Sequence, residues 1–458
     1  MKKWIGTKQF YKRLLYMAVP IMIQNAITNF VGFLDNIMVG QLGTEQMSGV
    51  AIVNQLVFVF NLLVFGGFSG AGIFGAQFYG KGDDEGVRNT FRFKILLGAV
   101  IVAVTLLVLI TAGESLIWLY LTSGDSGNLQ LAFDYGKEYM TVILFEILPF
   151  VLVQVYASTL RETGQTLVPM AAGIAAVLVN LTFNYLLIFG KFGAPKLGVM
   201  GAAVATVLAR LIECSIVIIW THRNKLKNRF IIGAYRSLRV PRQLALDIAR
   251  KGSPLLINEV LWSAGIAWAN QCFSVRGFTV VAATNISSTI ANLFNVIFIA
   301  MGNAVAILVG QQLGASEFEK AKDTSTKVMA ITVFCTVITS ALMVALSGFF
   351  PQMYKTTDEV RGMAASMIRI TAYLMPLQAF LNIVYFTIRS GGRTVITFLF
   401  DSGFSWGVAI PFVYCLVHFT GLGILTVYTL YYLLDIIKAT VGYILLKKGI
   451  WLRNIVVT

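Results

Sequence analysis

Residues 14–39 read LLYMAVPIMIQNAITNFVGFLDNIMV, an apolar run with a single charged side chain, Asp35. A helix needs about 20 such residues to cross the hydrocarbon of a bilayer. The run is too long for a signal peptide, contains an acid and lacks a small-residue cleavage pattern. Working outward, comparable runs follow at 46–78, 90–111, 135–160, 167–190, 198–220, 248–275, 280–313, 324–350, 361–389, 393–418 and 422–446, making twelve. The whole chain agrees: 458 residues, 57% hydrophobic and 12% charged, with mean hydropathy +0.76. A soluble domain carries about twice that charged fraction. The composition therefore excludes a soluble enzyme, a nucleic-acid module and a disordered chain, and predicts an all-α polytopic membrane protein.

Cysteine and histidine remove further chemistry. Cys214, Cys272, Cys335 and Cys415 all fall inside apolar runs, where a thiol acts as a small buried hydrophobe. The only histidines are His222, in a basic loop, and His418, at a helix end. No Cys/His metal cluster, phosphate loop or Ser/His/Asp grouping is spelled out. Neither an enzyme nor a resident cofactor is expected.

The net charge of +15 is read as topology. One set of connections holds Lys2, Lys3, Lys8, Lys12, Arg13, Lys81, Arg88, Arg92, Lys94, Arg161, Lys320, Lys322, Lys327, Arg389, Arg393, Lys447, Lys448 and Arg453. The opposite set holds only Lys137, Lys191, Lys196, Arg276, Lys355 and Arg361. Excess Lys and Arg mark the cytoplasmic side, so both termini and a basic middle linker are expected there. The linker adds Arg223, Lys225, Lys227, Arg229, Arg236, Arg239, Arg242, Arg250 and Lys251. Binding of anionic lipid is the other reading of that cluster.

The chain also repeats itself. With Pro20 over Pro254, an ungapped alignment pairs Ile23 with Ile257, Asn36 with Asn270, Gly43 with Gly277, Phe60-Asn61 with Phe294-Asn295, Gln77 with Gln311 and Gly80 with Gly314. Leu160-Arg161 and Gly164-Gln165-Thr166 later resemble Ile388-Arg389 and Gly392-Arg393-Thr394. Six runs precede the linker and six follow, so both halves enter from the same side and the repeat is parallel. The expected organisation is an N-terminal lobe at 1–221, a linker at 222–247 and a C-terminal lobe at 248–458. Paired halves of this kind commonly rock about a central cavity. Small residues (Gly66, Gly70, Ala71, Gly72, Gly75 and Ala76 on helix 2; Gly302, Ala306 and Gly310 on helix 8) predict close helix packing, which a moving gate would also use.

Several segments carry a family resemblance: residues 20–43 (PIMIQNAITNFVGFLDNIMVGQLG), 75–86 (GAQFYGKGDDEG), 180–206 (NLTFNYLLIFGKFGAPKLGVMGAAVAT), 254–277 with Asn258-Glu259, and 448–455 (KGIWLRNI). Together, and with the helix count and the repeat, the chain resembles the multidrug and toxic compound extrusion (MATE) family over essentially its whole length. The resemblance implies twelve transmembrane helices in two pseudo-symmetric six-helix lobes around a central cavity. It also implies export of organic, mostly cationic compounds driven by inward H⁺ or Na⁺.

Ionisable residues inside the spans are functional candidates by default, because a charge at mid-bilayer costs about 2.5–3.5 kcal/mol. A carboxylate can hold a proton, Na⁺ or a cationic substrate, and the three compete for one negative charge. Asp35 on helix 1 is the first candidate; an interfacial or capping Asp is its structural alternative. Asn180 and Asn184, one turn apart on helix 5, and Thr206 on helix 6 would complete an oxygen-rich coupling site; interhelical hydrogen bonding is the alternative for the two asparagines. In one branch of the family this cluster is two Asp, one Asn and one Thr, so Asp35, Asn180 and Thr206 match while Asn184 replaces the second Asp. Pro20 permits a bend in helix 1, and by analogy with the family is expected to take part in gating.

Glu259 on helix 7 and Asp401 on helix 11, with Asn258, Asn382 or Tyr373, form a candidate second cation or substrate site. A structural ion pair, Arg389 being one partner, is the alternative. Glu259 resembles the helix 7 Glu of the Na⁺-coupled branch, whose helix 10 Asp has no counterpart among Leu377, Gln378 and Asn382. Arg210 with Glu213, and Asp435 with Lys438, are i,i+3 pairs expected to be structural. Glu146 is read as interfacial or as a cavity acid. Trp262, Trp268 or Tyr156 would stack on flat cations. The resulting expectation is a monomeric antiporter of the plasma (inner) membrane, exporting small organic cations. A flippase for lipid-linked precursors or polysaccharide, and a channel or receptor, are the rivals.

Overall fold

The computed structural model describes residues 4–121, 128–354 and 356–457; Lys2, Lys3 and Lys355, counted above as topology signals, lie outside them. Twelve long helical segments follow one another: α1 Lys8–Gly40, α2 Thr44–Lys81, α3 Asp84–Tyr120, α4 Leu129–Glu162, α5 Leu167–Phe189, α6 Gly198–Arg223, α7 Arg242–Ser274, α8 Phe278–Gly314, α9 Phe318–Ala345, α10 Asp358–Ser390, α11 Thr394–Phe419 and α12 Ile424–Lys447. Eleven of these are long and apolar enough to span a membrane. The exception is α7, whose apolar run is interrupted by Asn258, Glu259, Asn270 and Gln271. At 1.5 Å per residue the 38 residues of α2 reach about 57 Å, well beyond an apolar core of about 30 Å.

The internal repeat is visible in the backbone. Helices α1 and α7 are both 33 residues long, and each contains its proline, Pro20 or Pro254. The α1–α2 and α7–α8 joints turn on Gly43 (φ +148°) and Gly277 (φ +112°), while Gly164 (φ +83°) and Gly392 (φ +71°) follow α4 and α10. Only glycine adopts these angles without strain. The repeat breaks down at α11: the expected continuous α-helix is instead π-helical over Leu399–Gly403 and Ser405–Ala409. A turn at Leu434 likewise divides α12.

The chain forms two compact units. One comprises Ile23–Gly75 and Asp83–Ala249. Its α4 packs on α3 and α6, with Val151 beside Gly98 of α3 and Ala157 clustered with Cys214 of α6. Lys94, expected among the loop cations, is instead fully buried on α3, with Nζ 2.7 and 2.8 Å from the two carboxylate oxygens of Glu162 and 3.1 Å from both Ser158 Oγ and Thr159 Oγ1. A buried pair is tolerated only with such full bonding. The glycines of α2 make room for it, since a Cβ on Gly75 would stand 2.2 Å from Glu162 Oε2.

The other unit comprises Met1–Met22, Ala76–Gly82 and Arg250–Thr458. Leu14, Met17 and Ile21 of α1 are buried with Val305, Leu308 and Leu313 of α8 and with Trp451 of the tail. Here the repeat meets itself. A Cβ on Gly80 would fall 1.8 Å from the Gln311 carbonyl oxygen, and one on Gly314 would fall 1.9 Å from that of Gln77. The ends of α2 and α8 therefore cross backbone to backbone through equivalent residues. The Gln77 amide donates to the Ser390 and Arg453 carbonyls (2.9 and 3.2 Å) and accepts from the Ile455 N–H (2.8 Å), which fastens the C-terminal tail to the crossing. Gly80→Ala and Gly314→Ala should each destabilise the protein by about 1–3 kcal/mol through overpacking, read as a lowered unfolding temperature in detergent. Gly362→Ala on α10, where a Cβ meets nothing within 4 Å, should not.

Candidate functional site

Ionisable and amide side chains gather in two places, one in each unit. In the first, Asp35 near the end of α1 accepts a 2.6 Å hydrogen bond from the Asn184 amide of α5. That amide also donates to Asn180 Oδ1 at 3.1 Å, and the Asn180 amide donates to Thr206 Oγ1 on α6 at 3.3 Å. Asn180 and Asn184 are 5% and 1% exposed. The four residues named from the sequence thus form one chain of hydrogen bonds. The one-turn spacing on α5 aligns the two amides, and the small residues Ala202, Ala203 and Ala205 leave α6 room beside them. Asn184 Oδ1 is buried without a hydrogen-bond partner. Among the described residues Asp35 has no lysine or arginine at ion-pair distance; the Asn184 amide is its hydrogen-bond donor, and Arg210 acts on its charge only from farther away.

Tyr139 of α4 joins this group and carried no sequence signal. It is buried, donates to Asn54 Oδ1 of α2 at 3.3 Å and lies within hydrogen-bonding reach of Thr206. Glu146, read above as interfacial or as a cavity acid, is paired. Arg210 of α6 reaches it through Nε (3.0 Å) and reaches Glu213 through Nη1 (2.8 Å), lying over the Phe150 ring. One guanidinium therefore serves two carboxylates. The expected Arg210–Glu213 pair is present, and its third member comes from another helix.

In the second unit, α7, α10, α11 and α12 converge. Asp401 Oδ1 accepts from Lys438 Nζ at 2.7 Å, and Oδ2 from the Asn258 amide at 3.1 Å. Asn258, 1% exposed, also takes the Ser402 backbone N–H (3.3 Å) and hydroxyl (2.8 Å) on its Oδ1. A side chain inserted in this way draws an N–H out of the helix ladder, and it does so inside the π-helical stretch that carries Asp401. Asn258 also donates to the Tyr385 hydroxyl at 3.3 Å, which in turn stands 3.5 Å from Glu259 Oε1. Lys438 was expected to pair with Asp435 on its own helix. It crosses to Asp401 instead, and Asp435 receives the Gln378 amide. Asn382 lies against α8, its Oδ1 2.2 Å from where a Gly302 Cβ would stand and without a hydrogen-bond partner. Tyr373 is 68% exposed. Pro20 lies inside α1, helical on both sides of it. Of the aromatic candidates, Tyr156 bonds His222 (3.0 Å) and Tyr235, and Trp268 lies beside Trp406, with ring centroids 6.4 Å apart.

Against known proteins, a family model described as MatE matches residues 20–186 and 254–415, one block in each half of the repeat. The chain belongs to the MatE family. MATE proteins are membrane transporters rather than enzymes, and this one is a multi-pass helical member. Its relatives include the probable multidrug resistance protein YoeA of Bacillus subtilis (strain 168), 26% identical over 90% of this chain and 88% of that protein. The probable multidrug resistance protein NorM of Thermotoga maritima is 24% identical over 98% and 94%. Among solved structures, a multidrug resistance MATE family transporter in an outward-facing conformation has TM-score 0.86 at 20% identity, covering 98% of both chains. A variant of the Vibrio cholerae MATE transporter VcmN also has TM-score 0.86, at 17% identity over 96% of this chain and 97% of that one. These likenesses establish the MATE fold.

The double-acid arrangement around Arg210 sets a stability test. Arg210→Gln leaves Glu146 and Glu213 buried without their cation, which should cost about 3 kcal/mol and lower the unfolding temperature in detergent. Adding Glu146→Gln and Glu213→Gln should restore most of the loss.

Proposed function

We propose that this protein is a secondary active antiporter that exports organic cations across the plasma membrane in exchange for H⁺ or Na⁺, by alternating access. One observation carries the reading: Asp35 is a carboxylate in a membrane helix that has an amide donor, Asn184, and no cation at ion-pair distance among the described residues, in a transporter family whose named relatives are multidrug resistance proteins. A charge in that setting is costly, so a proton or a small cation binds it favourably. Once neutralised, the group no longer attracts a cationic passenger. Competition for one charge is sufficient to couple two fluxes in opposite directions.

The hydrogen-bond pattern assigns roles. Asn184 holds Asp35 through its amide nitrogen while its own oxygen stays unpartnered. Rotation of that amide would present an oxygen to a bound cation. With one carboxylate rather than two, the site holds one positive charge per cycle. Pro20 has no N–H to donate to the preceding turn, so α1 bends there at lower cost than elsewhere when Asp35 changes charge. In the second cluster Asp401 already carries Lys438, and an arriving cation must compete with that ammonium. Glu259, facing the Tyr385 hydroxyl, is the better direct contact for a cationic substrate. The positive-inside pattern places both termini and the linker in the cytoplasm. A flippase handling phosphate-bearing lipids would need free cations in its cavity, whereas Lys438 is taken up by Asp401 and Arg210 by Glu146 and Glu213.

Proteoliposomes with separately imposed pH and Na⁺ gradients test the proposal. Efflux of a fluorescent organic cation should follow one gradient and stop when it is collapsed. Asp35→Asn should lower gradient-driven efflux at least about ten-fold, with folded protein unchanged. Efflux indifferent to both gradients, or to Asp35→Asn combined with Glu259→Gln, overturns it. For gating, Pro20→Ala should flatten the dependence of efflux rate on pH; an unaltered profile removes Pro20 from the mechanism.

A further inference from the structure

The linker between α6 and α7 is more ordered than a topology signal requires. Residues 222–246 contain seven Lys and Arg and no acid, yet the segment is folded onto its unit. Arg92 of α3 holds the Gly233 and Ala234 carbonyls at 2.8 and 2.9 Å. Phe230 is buried beside Phe91, with ring centroids 5.3 Å apart, and the Tyr235 ring stacks on His222. Asn228, fully buried, binds back to the carbonyl of Asn224. These contacts fix which side chains face outward.

What faces outward is both cationic and apolar. Lys225, Lys227, Arg236 and Arg239 are exposed, and of the remaining cations Arg229 has Asp84 at 3.7 Å. Between them Leu226 is 90% exposed, Ile232 48% and Leu238 43%. Large apolar side chains held in water gain nothing, whereas at a bilayer surface they enter the acyl boundary while neighbouring cations meet the headgroups. Next to this surface one face of α6 presents the apolar side chains Ile212, Ile216, Ile219 and Trp220 in an open, shallow depression, with Arg223 and Asn224 beside them. Acyl chains lie favourably along such an apolar face, and a headgroup phosphate meets a cation such as Arg223 at its edge.

We propose that the linker and the end of α6 form a binding surface for anionic phospholipid, with Arg223 at the headgroup and Leu226 inserted between Lys225 and Lys227. Charge complementarity selects the occupant: residues 222–246 contain no acid to receive a basic partner, the neighbouring Asp84 of α3 already faces Arg229, and the exposed leucines match acyl chains. The proposal rests on the transporter reading only in placing the linker at the cytoplasmic leaflet, where anionic lipids attract such segments.

The test uses the full-length purified protein and short-chain phosphatidylglycerol, with phosphatidylcholine of equal chain length as the comparison, bound lipid being counted by native mass spectrometry. Phosphatidylglycerol should bind more tightly, lose affinity with added salt and not be displaced by inorganic phosphate. Lys225→Gln and Lys227→Gln should each weaken it about five-fold, while Lys225→Arg and Lys227→Arg preserve it. Leu226→Ser with Leu238→Ser leaves every charge and topology signal in place and should still weaken binding several-fold; Lys191→Gln with Lys196→Gln, in the α5–α6 connection, should not. Equal affinity for the two lipids, displacement by inorganic phosphate, or unchanged binding in the leucine variant overturns the proposal. None of these readouts depends on transport, so failure of the antiport reading would leave them unaffected.

Discussion

A charge inside hydrocarbon has to be answered, and the ways in which this protein answers its buried charges organise the rest of the structure. Lys94 and Glu162 neutralise each other completely, with hydroxyls filling the remaining bonds. Arg210 is divided between Glu146 and Glu213, and Lys438 is given to Asp401. Asp35 is treated differently, receiving the Asn184 amide and, among the described residues, no ammonium or guanidinium at ion-pair distance. That difference in treatment, more than the presence of acids as such, separates a structural charge from one available to a passing ion. Amide donors stabilise a carboxylate without cancelling it, which leaves room for a proton to do the cancelling.

In the second unit, helices are irregular where Asp401 and Asp435 sit. Asp401 lies in a π-helical segment, an arrangement frequent at functional sites, and the cause is local: Asn258 takes the Ser402 N–H and hydroxyl. Asp435 stands just after the turn that divides α12. Such disruptions survive in a membrane only where side chains satisfy the released backbone groups. In the second unit, the same asparagine that distorts α11 orients the carboxylate and binds Tyr385. One residue therefore links the backbone geometry of α11 to the environment of Glu259.

Much of this was legible before the coordinates, because the constraints involved are local or periodic. A bilayer demands about 20 apolar residues per crossing, so helix positions could be read directly, α7 being the least apolar of them with Asn258, Glu259, Asn270 and Gln271 inside its run. The repeat was legible because Gly43 and Gly277 occupy backbone angles that other residues avoid. The hydrogen-bond chain from Asp35 to Thr206 followed from helical spacing together with a family likeness. What escaped reading was pairing between helices. Spacing of i,i+3 suggested that Lys438 would serve Asp435, but a side chain on a helix surface chooses among all neighbours, and Asp401 is nearer. Tyr385, Tyr139 and the Glu146–Arg210 contact were missed for the same reason, since tyrosine is common in membrane helices and nothing in a single sequence tells which one faces a carboxylate. Lys94 sits among genuine loop cations in the sequence, and only the depth of α3 reveals it as buried.

The crossing of α2 and α8 carries the repeat argument one step further. Two helices approach at backbone distance only where both lack side chains, and here both glycines come from equivalent positions of the repeat. The duplicated sequence thus supplies Gly80 to one helix and Gly314 to the other from a single inherited pattern. The glutamines beside them have diverged in partner: Gln77 binds the C-terminal tail, whereas Gln311 accepts from Arg13 of α1. Symmetry therefore built the contact, and asymmetric side-chain bonding decorates it. The two glycine contacts of this one crossing are therefore flanked by different side-chain bonds, to the C-terminal tail on one side and to α1 on the other.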